Sequence, residues 1–230
     1  HRSLLEEPLL AFSPANPDEV DVHPLRGLVR YGPFSKGSFA GFTSKVRVAT
    51  VGPESAFKRR GALMASLRET YDPSDRSEYV PKYPGFEHLF KIELVSAPST
   101  AHIRWPDSLG QLPGQGSAEA RLFEAMDAAL RRLESVRNEF DVVLVHFPDS
   151  WVPATRTKGF DAHDALKALG AKYNMPTQVI NDRAFTFTYK ASLAWRLAIA
   201  LYVKAGGIPW KLARVRGVHD ETAYIGLAYA

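Results

Sequence analysis

The chain has 230 residues, 45% of them hydrophobic, enough to bury one good core and part of a second and so to form one or two domains. It contains no cysteine, which excludes disulfides, thiolate catalysis and cysteine-ligated zinc and fits a reducing compartment. Twenty-nine Lys and Arg against 25 Asp and Glu leave a net charge of +4, compatible with a polyanionic partner but too small to require one.

The first 40 residues are punctuated by Pro and Gly, with Leu9-Leu-Ala-Phe12 a short strand and Arg30-Tyr-Gly-Pro-Phe34 a turn, and they read as an arm that packs on something else. Val46-Arg-Val-Ala-Thr-Val51 is β-branched and compact, and Gly52-Pro53 stops it before a helical stretch over 54–71. Residues 72–90 read as loop, 91–95 as a second strand, and 99–116 as a surface loop rich in Pro, Gly and Ser. Ser117 is a fair N-cap for the clearest helix, 118–138, whose Leu122, Met126, Leu130 and Leu133 recur every three or four residues.

Asp141-Val-Val-Leu-Val-His-Phe147 is apolar on both faces, as central parallel strands are, and Pro148 ends it. A loop over 149–159 leads to a helix over 161–173, which Asn174 and Pro176 close. A fourth strand over 177–180 and a last long helix over 190–205, stopped by Gly206-Gly207, follow. The run from Leu193 to Val203 is broken by Arg196 and is about half the ~20 residues of a bilayer span, so no membrane segment is expected. No export leader is visible either, and the cytoplasm is the expected compartment. The end, Ala223-Tyr-Ile-Gly-Leu-Ala-Tyr-Ala230, reads as a strand cut in its middle, as in a fragment or a natural truncation. Strands alternating with helices predict an α/β fold with a Rossmann-like, doubly wound, largely parallel sheet.

In such sheets ligands bind at the carboxyl ends of the strands, which directs attention to the segments after Phe147 and Ile180. His163 and Lys167, four residues apart, share a helix face; Gln178 lies on the next strand; Lys204 ends the last helix. Converging N–H donors and positive charge suit a phosphate. Each residue alone has an ordinary explanation: a solvated helix face, a polar strand residue, a cation complementing a helix dipole.

Together, Asp141-Val-Val-Leu-Val-His-Phe-Pro148, His163-x-x-x-Lys167, Tyr173-Asn-Met-Pro-Thr-Gln178 and Tyr202-Val-Lys-Ala-Gly-Gly-Ile-Pro-Trp210 resemble the MID domain of Argonautes and its junction with the PIWI domain. In that family an aromatic, His or Arg residue, a Lys four later, a Gln after a Pro-Thr or Pro-Ser turn and a Lys before Gly-Gly grip the guide's 5′-phosphate. The resemblance implies those roles for His163, Lys167, Gln178 and Lys204, and adds Arg156 and Lys158 as contacts to the first base or the backbone. Arg26-Gly-Leu-Val-Arg-Tyr-Gly-Pro-Phe34 resembles the opening segment of short prokaryotic Argonautes.

The organisation implied is an amino-terminal arm over 1–40 packing on the PIWI side, a MID domain over 41–206, and over 207–230 the junction and first strand of an RNase H-like PIWI domain. Ala200 stands where some members carry a further Lys, so affinity is expected to lean more on a Mg²⁺ ion at the guide phosphate, which some relatives hold with their C-terminal carboxylate. Ala228 stands where slicing members place the first metal-binding Asp, so no slicing is expected. The implied partners are a single-stranded guide, RNA favoured over DNA, a complementary target, DNA favoured, and an effector chain with an Argonaute-associated domain, in prokaryotic defence.

Two rival classes remain. A nucleotide- or cofactor-binding enzyme on the same fold would use Gly114-Gln-Gly116-Ser-Ala-Glu119, but Glu119 replaces the third Gly and no Lys follows. His219-Asp-Glu221 lacks metal-ligand spacing. The other rival is a pure interaction module docking through the arm and the terminal strand.

Overall fold

The computed structural model describes residues 7–35, 44–74, 77–111, 117–186 and 188–213. Five parallel strands form its centre: β3 (Lys45–Pro53), β4 (Glu93–Ser96), β5 (His102–Trp105), β6 (Val142–His146) and β9 (Thr177–Ile180). Their order is β4-β3-β6-β9, with β5 beside β3 beyond β4: the first half of β3 pairs with β4 and Thr50 to Pro53 with β5. β1 (Leu10–Ala11) and β2 (Val20–Asp21) belong to a second, three-stranded sheet, and β7 (Arg156–Thr157) with β8 (Phe160–Asp161) makes a hairpin.

Alternation along β3 and β6 decides which helix packs where. Val46, Val48, Val142 and Leu144 point into a buried cluster with α2 (Phe57–Ser66), α3 (Phe86–Phe90) and α8 (Lys190–Lys204). Ala49, Val51, Val143 and Val145 point into the opposite one, built by α4 (Ala118–Glu134), α5 (Val152–Thr155) and α6 (Ala162–Lys172). Helices on both faces of a parallel sheet make the fold mixed α/β and doubly wound, as the alternation of elements predicts. α7 (Arg183–Thr186) is a single turn between β9 and α8. No helix among the described residues is long and apolar enough to cross a membrane.

Several segments depart from the reading of the sequence. Residues 72–90, read as loop, contain α3, whose Phe86, Leu89 and Phe90 fill the core at helical spacing. The stretch 99–116, read as surface loop, contains β5, with Ile103 and Trp105 buried against α4's side of the sheet. The loop 149–159 holds α5 and β7. The helix read over 118–138 ends at Glu134, with Ser117 Oγ accepting from the Ala120 N–H at 3.3 Å as the cap, and a 3-10 turn follows over Arg137–Glu139.

In the arm, α1 (Pro24–Tyr31) starts with Pro at its first position, where no intrahelical N–H is needed, and Gly32, at φ 82°, stops it. β1 lies between β2 and β10 (Lys211–Leu212), so the arm and the segment after α8 share one small sheet. Phe12 is buried at its centre, 5.9 Å from the Tyr31 ring and 6.4 Å from that of Trp210. The terminal strand with Ala228, Gly114-Gln-Gly116 and His219-Asp-Glu221 lie outside the described residues.

Candidate nucleic-acid interface

Both helices that carry the candidate cations end in the same hydrogen-bonded motif. At the end of α6, Asn174 takes a left-handed φ of 50°, Met175 N–H donates to the Gly170 carbonyl at 2.8 Å and Asn174 N–H to Ala171 at 3.2 Å. At the end of α8, Gly206 has φ 97°, Gly207 N–H donates to Tyr202 and Gly206 N–H to Val203, both at 3.0 Å. The first turn releases the chain into β9, placing Gln178 on its second residue. The second fixes Lys204 in the last turn of α8.

These turns bring Gln178 and Lys204 together on β9, the strand that ends the sheet order. Lys204 Nζ donates to Gln178 Oε1 at 2.8 Å and to the Thr177 carbonyl, while Gln178 Nε2 donates to the Val179 carbonyl at 2.9 Å. Burial pushes the Lys204 pKa down, and the nearby charge of Lys167 pushes it the same way. Lys167 is on α6 across the sheet from α8, so α6 and α8 reach round the same strand. His163, half exposed, lies one turn before Lys167, and Asp164 links them: its Oδ1 is 3.5 Å from His163 Nδ1 and 3.8 Å from Lys167 Nζ. The Lys204–Gln178 pair thus lies at the start of β9 and not at the carboxyl ends of the strands, while His163 is joined to Lys167 through Asp164 and, among the described residues, makes no hydrogen bond or ion pair with Gln178 or Lys204.

The β7–β8 hairpin borders the start of α6. Asp161 caps that helix, its Oδ1 accepting from the His163 N–H at 2.8 Å and the Asp164 N–H at 3.4 Å, while Arg156 Nε donates to Oδ2 at 3.2 Å. Burial pushes the Asp161 pKa up, but the His163 N–H, Arg156 and the Asp164 N–H outweigh it and hold the carboxyl below its usual range. Lys158 is exposed at the hairpin tip.

No family model matches the chain. It is 24% identical over 217 residues to the protein argonaute of Cereibacter sphaeroides, covering 89% of this chain and 24% of that protein, so it spans about a quarter of the relative's length. A crystal structure of Aa-Ago with externally bound siRNA superposes with a TM-score of 0.56 at 14% identity, over 95% of this chain and 26% of that one. The crystal structure of A. aeolicus Argonaute is also similar, at a TM-score of 0.47, 16% identity, 94% of this chain and 24% of that one. The chain is thus similar over most of its length to a segment of a prokaryotic argonaute, and it shares the mixed α/β fold of that part of the Aa-Ago structure.

Two carboxylates that no sequence motif singles out face the candidate cations. Asp161, Asp164 and His163 have ligand atoms within 4.8 Å of one another, a grouping that can meet a cation. The signal for Asp161 was its place immediately before an amphipathic helix, where Asp is a preferred cap. Nothing in the sequence marks Asp164, because its role depends on the rotamers of His163 and Lys167. A second group that no motif marks gathers at the carboxyl ends of β3 and β6: Arg59, Arg60, His146 and Asp182. There His146 Nε2 meets Asp182 Oδ1 at 3.2 Å, and Arg59 reaches the same oxygen at 3.6 Å.

Proposed function

We propose that this Argonaute-like domain binds a short guide strand and anchors its 5′-phosphate with His163, Lys167, Gln178 and Lys204, as a MID domain. Pairing of the guide with complementary nucleic acid, without slicing, then serves prokaryotic defence. The observation that carries the reading is the Lys204–Gln178 hydrogen bond with Lys167 near enough to depress the Lys204 pKa. Two ammonium groups held together, one of them half-buried, repel each other, and a phosphate relieves that repulsion while accepting charge-assisted hydrogen bonds. Lys204 spends two of its three N–H donors on Thr177 and Gln178, which aims the third. The His163 imidazole donates to the phosphate or stacks under the first base, and Arg156 and Lys158 border the path of the strand.

The relatives support nucleic acid as the ligand class: one is named argonaute and another was crystallised with siRNA. RNA as guide, DNA as target, and an effector chain with an Argonaute-associated domain rest on the resemblance alone. For Mg²⁺ the donors fit poorly. The ion prefers a near-octahedral shell of oxygens, and Asp161 is already engaged by two backbone N–H groups and Arg156. The anchoring is therefore assigned to side-chain donors.

Filter binding with a guide of about 20 nucleotides tests the reading: the 5′-phosphorylated strand is expected to bind more tightly than the 5′-hydroxyl strand. Lys167→Ala should weaken binding and flatten the salt dependence by about 0.7 in log–log slope, the single-strand value for one phosphate contact. Equal affinity for the two ends would reduce the site to a generic basic surface. Guide-loaded protein given a complementary target with Mg²⁺ or Mn²⁺ is expected to yield no guide-directed product on a denaturing gel; a defined product would refute the reading of Ala228.

A further inference from the structure

Several arginines of this chain turn the Nε–Nη2 edge of the guanidinium onto an acceptor, and Arg26 and Arg47 fill it with both oxygens of one carboxylate. Arg26 donates from Nε to Asp21 Oδ2 at 2.9 Å and from Nη2 to Oδ1 at 2.6 Å. Arg47 does the same with Asp141, at 3.1 and 2.8 Å. Arg60 is different. It is completely buried, its Nη1 donates to the Pro53 carbonyl at 2.9 Å, and Nε and Nη2 meet no acceptor among the described residues. That edge presents two parallel N–H groups, the fork that matches two oxygens of one oxyanion.

Arg60 is also held in place. Gly52 lies between it and His146: a Cβ there would sit 2.9 Å from Arg60 Nη1 and 3.0 Å from His146 Cβ, so only glycine admits the guanidinium at this position. Leaving a buried guanidinium edge without an acceptor forfeits its hydration with nothing in return. Retention of that cost is explicable if a ligand from outside the chain supplies the acceptor.

Arg60 lines a cavity of about 240 Å³ between α2 and the point where the edge of β3 passes from β4 to β5. Its other polar walls are Thr50, Lys58, Arg68, Ser96 and His102, with no carboxylate among the lining residues. Arg68 is engaged by the Leu94 carbonyl and by Glu87 at 3.5 Å; Glu54, which favours the charged form of Arg60, is held by Arg104 at 2.8 Å. His102 is tied on both nitrogens, to Thr50 Oγ1 and the Ala97 carbonyl, each at 2.9 Å. The volume is below the ~300–1,000 Å³ of sites that enclose a drug-sized molecule, which sets the ligand at the size of a single oxyanion group.

We infer that this cavity is a second anion site, in which a phosphoryl group held by Lys58 at the rim draws the Nε–Nη2 edge of Arg60, covered in this structure, onto two of its oxygens. The walls suit a phosphoryl group, a dianion as free phosphate or mononucleotide and a monoanion in a strand backbone, and more than one positive charge there favours the dianion over acetate. The site is separated from β9 by β6 and does not depend on the guide-anchoring reading. Its phosphoryl group comes either from the backbone of a bound strand or from a free phosphate or mononucleotide.

Thermal unfolding of the chain with inorganic phosphate at constant ionic strength tests the inference. A saturable rise in Tm is expected in the wild type and in Lys167→Ala, and its loss in Arg60→Met, which keeps the volume and removes the fork. Lys58→Gln, an exposed change that leaves the core untouched, should raise the apparent phosphate Kd about tenfold, and it decides the matter if Arg60→Met does not fold. Acetate, with the same pair of oxygens but a single charge, should have the smaller effect. A response that survives Arg60→Met and disappears in Lys167→Ala would place the ion at β9 and overturn the inference while sparing the other site. No saturable response in the wild type, or equal effects of acetate and phosphate, overturns it outright. A dinucleoside monophosphate that competes with phosphate identifies a strand backbone as the source; competition by a nucleoside monophosphate alone identifies a free ligand.

Discussion

His146 shows how far a single buried group can set the pH response. Burial pushes its pKa down to about 4 from the ordinary 6.5, with Arg60 and Arg59 adding to the depression and Asp182 opposing it. The Phe185 ring packs edge-on at 4.8 Å and keeps water away. Because the folded pKa is the lower one, the unfolded chain takes up the proton first on acidification. The contribution is complete above about pH 6.5 and is lost as pH falls through about 4. At about 1.4 kcal/mol per pKa unit it amounts to about 3 kcal/mol. Urea titrations at pH 7, 5 and 4 should therefore show His146→Gln losing less stability than the wild type over that range. Parallel losses would mean that His146 is not the group that titrates. The His146 position was legible in the sequence only as the polar end of an apolar strand; its surroundings come from α2 and α7, which no local pattern connects to β6.

At the scale of elements, legibility followed length and periodicity. β6 and α4 declare themselves, the first by a five-residue run buried on both faces, the second by 17 residues with one apolar stripe. β5 and α3 do not, because four and five residues give too few repeats to establish a period, and flanking Pro, Gly and Ser point to loop. The two helix ends were legible from Asn174 and Gly206, and they make a testable pair. At φ 50° Asn174 sits in the left-handed region that Asn tolerates, whereas Gly206 at φ 97° lies beyond it. Gly206→Ala should lower stability by about 1–2 kcal/mol, and Asn174→Gly should change it by only a few tenths. Urea midpoints with unchanged m-values would report both. Gly206→Ala should also weaken binding of a 5′-phosphorylated guide, since that turn fixes Lys204; intact binding would detach the turn from the site.

The molecule as a whole is tied together by contacts remote in sequence. Phe12 and Leu28 of the arm belong to the same buried cluster as α2, α3 and α8, and β1 pairs with β10 after the last helix. The Ser35 Oγ–Tyr202 Oη hydrogen bond, 2.6 Å long and buried, joins the arm to the last turns of α8, two residues before Lys204. Arm, helix and candidate site should therefore unfold together and not as separate units. Phe12→Ala removes a ring packed against Tyr31 and Trp210 and should cost about 3–5 kcal/mol, the range for emptying an aromatic core position. Ser35→Ala removes the buried hydrogen bond to Tyr202 and should cost about 0.5–1.5 kcal/mol, the net worth of one such bond. Tryptophan fluorescence reports Trp195 in one core cluster, Trp105 and Trp151 in the other and Trp210 beside the arm, and far-UV circular dichroism reports the helices. If the coupling is real, both signals shift to the same lower denaturant midpoint in each variant. An early fluorescence transition in Phe12→Ala, followed by helix loss at the wild-type midpoint, would show that the arm opens alone, and Lys204 would then owe its position to α8 and β9 and not to the arm.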